Sequence, residues 1–322
     1  MLGAHAHSAA LIGTGSEVLG LDTERSTDHG WGPRLKVFVE AEEVGAVRDA
    51  VERGLPGEFR GGPTHFGWDE VPVTHHVEVA ELGAWLARRI GFDPHGGMSA
   101  PQWLCAPQQR LLEVTSGAVF HDDGGGLEAV RAALAWYPDD VWLWLLACQW
   151  RRLDQEEPLV GRAAEVGDEL GSRVVAARLV RDVIRLAFLL ERRYAPYGKW
   201  LGSAFARLDA AATLGPALLE VLGADDYEAR EAALVVAVEE LAARHNALAI
   251  MEPVDPSVRL FHSRPFRVLG SSRFADACLE RMRDPWLSSL PPIGGVDQIS
   301  DSTDVLEEAR LFSAVAALYD VR

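Results

Sequence analysis

Apolar and polar positions alternate along Arg34–Glu40 and again along Val73–Ala80, the period of two that a half-buried strand requires. In the second run Val77 and Val79 share one face, and His76 and Glu78 lie on the other. Between the two runs, Glu43–Arg53 carries the spacing of an amphipathic helix, and Gly54–Pro63 is a loop rich in glycine and proline. Ala9–Gly13 reads as a short strand or helix end leading into a Gly-Ser turn, and Glu81–Ile90 reads as a helix. The first hundred residues therefore predict an α/β or α+β unit.

From about Pro101 the pattern changes to helical spacing. It runs through Gln108–Val114, Leu127–Trp136, Asp140–Leu153, Arg162–Arg193, Lys199–Ala212, Pro216–Leu222 and Asp226–Asn246. Glu252–Pro292, richer in Pro, Ser and Arg, predicts a long irregular segment, and Asp304–Tyr319 a closing helix. The expected organisation is an α+β domain over residues 1–100, then a helical bundle over 101–322 with an irregular segment near 252–292.

Composition narrows the partners. A net charge of -17, from 31 basic against 48 acidic residues, and no dense Lys/Arg run argue against a nucleic-acid backbone as partner. Net charge still says little about any one cleft. Cys105, Cys148 and Cys278 fit no metal pattern and no disulfide framework, so buried thiols in a reducing compartment are expected. The N-terminus lacks the basic region and long apolar core of a signal peptide, and no apolar run is long enough to span a bilayer. These features predict a cytoplasmic protein without a membrane partner.

Candidate chemistry begins at Gly15-Ser16 and Gly20, a G-S-x-x-x-G segment after an apolar run. Glycine lets phosphate approach backbone N–H groups closely, and a helix N-terminus behind such a turn adds favourable polarity. Asp28 follows where a metal-binding strand would begin, and Glu78 offers a carboxylate on a later strand. Phosphoryl or nucleotidyl transfer needs this combination of phosphate donors, metal-holding acids and a base.

GSEVLG followed by STDHGW resembles the nucleotidyltransferase superfamily of the DNA-polymerase-β type, in which a Gly-Ser turn precedes Asp-x-Asp/Glu and a later strand acid. The fuller wording, including WGPRL, GFDP, WLWLLACQWRR, VGDELGSR, RLVRD and YAPYGKW, is similar to an uncharacterised bacterial nucleotidyltransferase-like family, a domain of unknown function with a helical C-terminal half. The resemblance runs from Leu11 to about Met251. It implies a short mixed sheet flanked by helices, followed by a helical substrate domain. Gly15, Ser16 and Gly20 would grip the triphosphate, and Asp28 and Glu78 would hold magnesium. One position departs from the pattern: the family fragment reads Asp-His-Asp-Trp-Gly-Pro-Arg, and Gly30 stands here at the second Asp. On a strand, residues 28 and 30 would point the same way and His29 oppositely, so His29 cannot replace the missing acid.

In the helical half, Asp168 and Glu169 are equally placed as a base for the acceptor. Arg178 and Arg181 belong to a stripe that either grips an anion or forms a salt-bridged face. Lys199, at the break after Tyr194-Ala195-Pro196-Tyr197-Gly198, either reaches a phosphate or belongs to a packed turn. His75-His76 cannot easily chelate zinc together, because neighbours on a strand point to opposite sides. His121-Asp122-Asp123 is most simply a polar turn before three glycines, and some of Trp142, Trp144 and Trp150 belong to a core. The expected activity is magnesium-dependent transfer of a nucleoside monophosphate from a triphosphate such as ATP to a small-molecule or protein acceptor. The alternative, carried by Gly30, is a non-catalytic nucleotide- or metabolite-binding sensor on the same fold.

Overall fold

A computed structural model describes residues 5–28, 32–68 and 71–320, leaving out the side chains at 27 and 28. The chain divides into two compact units. One combines residues 1–136 with 302–316, and the other residues 137–301 with 317–322.

The first unit is built on a five-stranded mixed sheet. Its strands are β1 (Ser8–Leu11), β2 (Arg34–Phe38), β5 (His65–Trp68), β6 (Val71–Ala80) and β7 (Ala118–Asp122), with a small ribbon of β3 (Glu58–Phe59) and β4 (Gly62–Pro63) beside it. The order is β5-β6-β2-β1-β7; β2 and β6 are parallel, and the other neighbours are antiparallel. The parallel pair needs a crossover, which the helix Val44–Gly54 provides. Val47 and Val51, one turn apart on that helix, pack with Val37, Val39 and Val79 into a buried aliphatic cluster. On the opposite face Phe38 meets Trp85 edge-on at 5.4 Å, so the helix Leu82–Ile90 covers that side. Glu81 caps this helix by accepting from the Gly83 and Ala84 amides, and Gly91 ends it in a left-handed conformation.

Strand alternation then fixes what each face presents. Leu35, Val37, Val77 and Val79 turn towards the crossover helix, while Arg34, Lys36, His76 and Glu78 lie on the other side with Phe38. Strand β7 lies in a region whose spacing predicted helices and a polar turn. It pairs with β1 and completes the sheet edge. Gly117 starts it with φ of 71°, its amide bonded to the Val18 carbonyl and its Cα against the Leu11 carbonyl. A Cβ there would collide with backbone on top of the left-handed strain, so Gly117→Ala should lower the unfolding free energy by about 2 kcal/mol or more. Urea unfolding of the variant measures this directly.

The segment 302–316 supplies the helix Ala309–Ala314, which packs on Leu82–Ile90 and on the helix Ala100–Cys105. Arg110, itself paired with Glu113, donates to the Glu307 carbonyl at 3.2 Å. In place of the closing helix expected over Asp304–Tyr319, this stretch forms three short pieces, Thr303–Glu307, Ala309–Ala314 and Val315–Tyr319.

The second unit is helical. The long helix Asp139–Glu165 packs against Glu169–Leu190 and Ser272–Arg281, and Tyr227–Ala247 packs against Ala211–Gly223. The periodicity of Arg162–Arg193 suggested one helix, but Gly167 breaks it with φ of 76°. Its amide bonds to Ala164, and that of Asp168 bonds to Ala163, a Schellman ending that closes one helix before Asp168 caps the next. The segment Glu252–Pro292 is more ordered than its composition suggested. It holds a ribbon of β8 (Arg259–Leu260) and β9 (Arg267–Val268) and the helix Ser272–Arg281.

A half-buried pair of carboxylates and a buried imidazole anchor this unit. Glu157 accepts the amides of Leu269, Gly270 and Ser271 at 2.8, 3.0 and 3.0 Å, and Asp154 accepts that of Ser272 at 2.9 Å. Together they answer the orphan donors at the start of the helix Ser272–Arg281. His245 accepts from the Trp150 indole at 3.0 Å, and both rings pack on Phe274. Cys105, Cys148 and Cys278 are free and buried, as expected. No helix among the described residues is long and apolar enough to cross a membrane.

Candidate functional site

The Gly-Ser turn after β1 is held from the side by β2. Gly13, Gly15 and Gly20 all have positive φ, and the Ser16 carbonyl accepts from the Leu19 and Leu21 amides. Residues 13–20 form successive turns with no helix directly behind them, so the expected helix N-terminus is not there to add its polarity. Arg34 reaches into the turn, donating to the Thr14 carbonyl at 2.6 Å and pairing with the Glu17 carboxylate. A Cβ at Gly15 would meet the movable end of Arg34, and it is the φ of 135° that calls for glycine there.

Two residues along β2, Lys36 sits in register with Glu78 on β6. Its Nζ lies 2.6 Å from Glu78 Oε2, and Arg88 Nη2 lies 3.3 Å from Oε1. Burial pushes the Glu78 carboxyl up, but the Lys36 hydrogen bond and the charges of Lys36, Arg89 and Arg88 outweigh it and hold the group below its ordinary value. Lys36 also passes close to Gly13, which links the glycine turn to the Glu78 strand. The structure thus gathers Gly15, Arg34, Lys36 and Glu78 on one face of the sheet.

Beside them lies a cleft of about 700 Å³, lined by Arg34, Lys36, Arg48 and Arg88 and by Glu52, Glu78 and Glu81, with His75 and His76. Strand β5 pairs with β6 only as far as His75, so the cleft follows the open edge of β6 beyond it. His75 is pinned there: it accepts from the Val77 amide at 3.2 Å, and its Nε2 stands 3.1 Å from Glu52. His76 instead bonds to the Phe66 carbonyl at 2.9 Å and stacks on Trp68. Arg48 is exposed and has no ion-pair partner among the described residues. Four permanent cations against three carboxylates line this cleft in a chain of net charge -17, and one of the cations, Arg34, is already paired with Glu17.

The acids expected to hold magnesium divide differently. Asp28 closes a short 3-10 helix, Glu24–Asp28, and the strand starts only at Arg34, so Asp28 does not open a strand as expected. The side chain of Asp28, together with His29 and Gly30, lies outside the described residues. Glu78 has both oxygens engaged by cations, an arrangement that does not fit a magnesium ligand.

The remaining candidates belong to the helical unit, and each is engaged locally. Asp168 accepts the Gly171 amide at 2.8 Å as a helix cap. Glu169 pairs with Arg173 at 2.7 Å and with the buried Arg230, whose second nitrogen donates to Ser172. Arg178 meets Glu156 at 3.1 Å, and Arg181 meets Asp301 at 2.8 Å, the salt-bridged alternative for that stripe. Lys199 lies 4.9 Å from the Trp200 ring centroid. Sequence inspection passed over Arg34, Lys36, Arg48 and Arg88. The signal was present in Arg34-x-Lys36, two cations on one strand face beside a glycine turn.

The family described as a domain of unknown function (DUF4037) matches residues 103–201, a span that takes in the end of the first unit and the first helices of the second. Among solved structures, the crystal structure of a nucleotidyltransferase-like protein from Exiguobacterium sibiricum 255-15 is similar at 12% identity, covering 80% of this chain and 77% of that one with a TM-score of 0.35. Likeness that distant decides nothing about activity. No curated protein matches.

Proposed function

We propose that this protein binds the phosphate groups of a nucleoside triphosphate in the cleft beside β6 and acts as a non-catalytic nucleotide sensor on a nucleotidyltransferase-like fold. The observation that carries this reading is the Lys36–Glu78–Arg88 group. A carboxylate that would bridge metal is instead neutralised by Lys36 and Arg88, which leaves Arg48, without an ion-pair partner among the described residues, to meet an anion that Lys36 would share with Glu78. Phosphate contacts would then come from Lys36, Arg48 and Arg34, with the backbone at Gly15 and Ser16 alongside. Magnesium would travel with the nucleotide and is not required by the protein's own carboxylates.

Calorimetric titration with ATP, with magnesium and with chelator, tests it. Binding should persist in chelator, and Lys36→Met and Arg48→Ala should each weaken it about tenfold, or about 1.4 kcal/mol. The sign of Glu78→Gln separates the two classes of function. Removing the competing negative charge should tighten ATP binding here, whereas loss of a metal ligand would abolish metal-dependent binding and pyrophosphate release. Release that disappears in Asp28→Ala would establish transfer to a small-molecule or protein acceptor instead. Absence of ATP binding at millimolar nucleotide would end both readings.

A further inference from the structure

A separate cluster stands where β1 meets the sheet's edge strand. The two strands run antiparallel, with Ser8 opposite Asp122 and Ala9 opposite His121. One step outward His7 faces Asp123, and its amide donates to that carboxylate at 3.0 Å. Residues two apart on a strand point the same way, so His121 and Asp123 meet His7 from one side. His121 Nε2 is 2.8 Å from Asp123 Oδ1, His7 Nδ1 is 3.6 Å from Oδ2, and the two imidazole rings are 4.5 Å apart. One ligand atom from each residue lies within 4.8 Å of the other two. Around a tetrahedral zinc, ligand atoms sit roughly 3.3–3.6 Å apart, so small side-chain rotations would close the set.

The surroundings prepare this donor set. His7 Nδ1 lies 2.9 Å from the His5 carbonyl, which can only accept, so Nδ1 carries the proton and Nε2 keeps its lone pair. That is the outer bond that metal-bound histidines use to fix their tautomer. His121 and Asp123 are exposed, so an ion can enter without opening the fold. We propose that His7, His121 and Asp123 bind a divalent transition-metal ion of the zinc type and clip β7 to β1, leaving the remaining coordination position to solvent. Two imidazole nitrogens with one carboxylate oxygen favour zinc, cobalt or nickel over magnesium or calcium.

Zinc chloride titrated into tag-free full-length protein near neutral pH should show one site of micromolar affinity. Cobalt in its place should give the visible absorption of a nitrogen-and-oxygen site. His121→Ala and Asp123→Ala should each weaken zinc by more than the roughly tenfold that loss of even an outer partner costs. His95→Ala, which removes an exposed histidine paired with Asp93 but lacking a second imidazole, should leave the affinity unchanged. Zinc should also raise the melting temperature of the wild type and not that of His121→Ala. Binding no tighter than millimolar, or affinity that survives His121→Ala in a variant with a native circular dichroism spectrum, would overturn the site and identify the cluster as a surface ion pair.

Discussion

Between pH 6.5 and 4.5 the Glu157→Gln protein is expected to lose about 2 kcal/mol of unfolding free energy while the wild type stays nearly level. Burial pushes Glu157 up to about 7, with Asp154 adding to the rise and the three amides opposing it. A carboxyl raised in the folded state contributes stability that is complete below its ordinary value of 4.5 and is lost as pH rises through about 7. Acidification over this window therefore strengthens the wild-type fold through Glu157. Glutamine keeps an acceptor for the amides and removes the proton. Urea unfolding at half-unit pH intervals reads the slope, which is independent of any offset the substitution adds. A slope equal to that of wild type would show that Glu157 does not titrate there.

The opposite slope comes from His245, and its removal gives the second large effect. Burial lowers this imidazole from 6.5 to about 4. Protonation would place a proton on the nitrogen that accepts the Trp150 N–H, so the neutral ring is the one the core holds. A histidine depressed in this way contributes stability that is complete above 6.5 and is lost as pH falls towards 4. His245→Gln, whose amide oxygen can accept from Trp150, should gain about 2 kcal/mol on going from pH 6.5 to 4.5, somewhat less than the full ~1.4 kcal/mol per unit because Glu157 is partly titrated at each edge of the window. The double variant should be level again. The carboxylates held low, among them Asp93, Asp122 and Glu78, start from ordinary values of 3.8 to 4.5 and act below this window.

Both titrating residues were visible in the sequence, but their environments were not. His245 stands near the end of its helix, where a polar residue ordinarily caps, whereas its partner Trp150 lies on another helix. Periodicity did locate β2, β6 and the helices on either side of the sheet, since each buries one continuous face. It missed β7, whose burial pattern shows no apolar alternation: Phe120 and His121 are both exposed. It also merged two helices across Gly167, because both flanks carry helical spacing and the break between them is only Val166-Gly167-Asp168. For the site, the resemblance directed attention to acids. Glu78 was found, but the Lys36 that neutralises it belongs to a different strand and becomes its neighbour only through parallel register. Asp168 and Glu169 were legible as an acidic helix start, a pattern that fits capping as well as chemistry.

The first unit carries a consequence of its discontinuous make-up. Gly91 packs against Phe312 and Ser313, and the Arg110 guanidinium rests on the Glu307 carbonyl, so helices of the sheet unit laid down early depend on residues added after 137–301. A ribosome emitting this chain delivers the sheet first and its finishing piece some two hundred residues later. Neither unit is complete until the last stretch emerges, because the helical unit in turn takes residues 317–322, among them the buried Tyr319 whose hydroxyl donates to the Gly294 carbonyl.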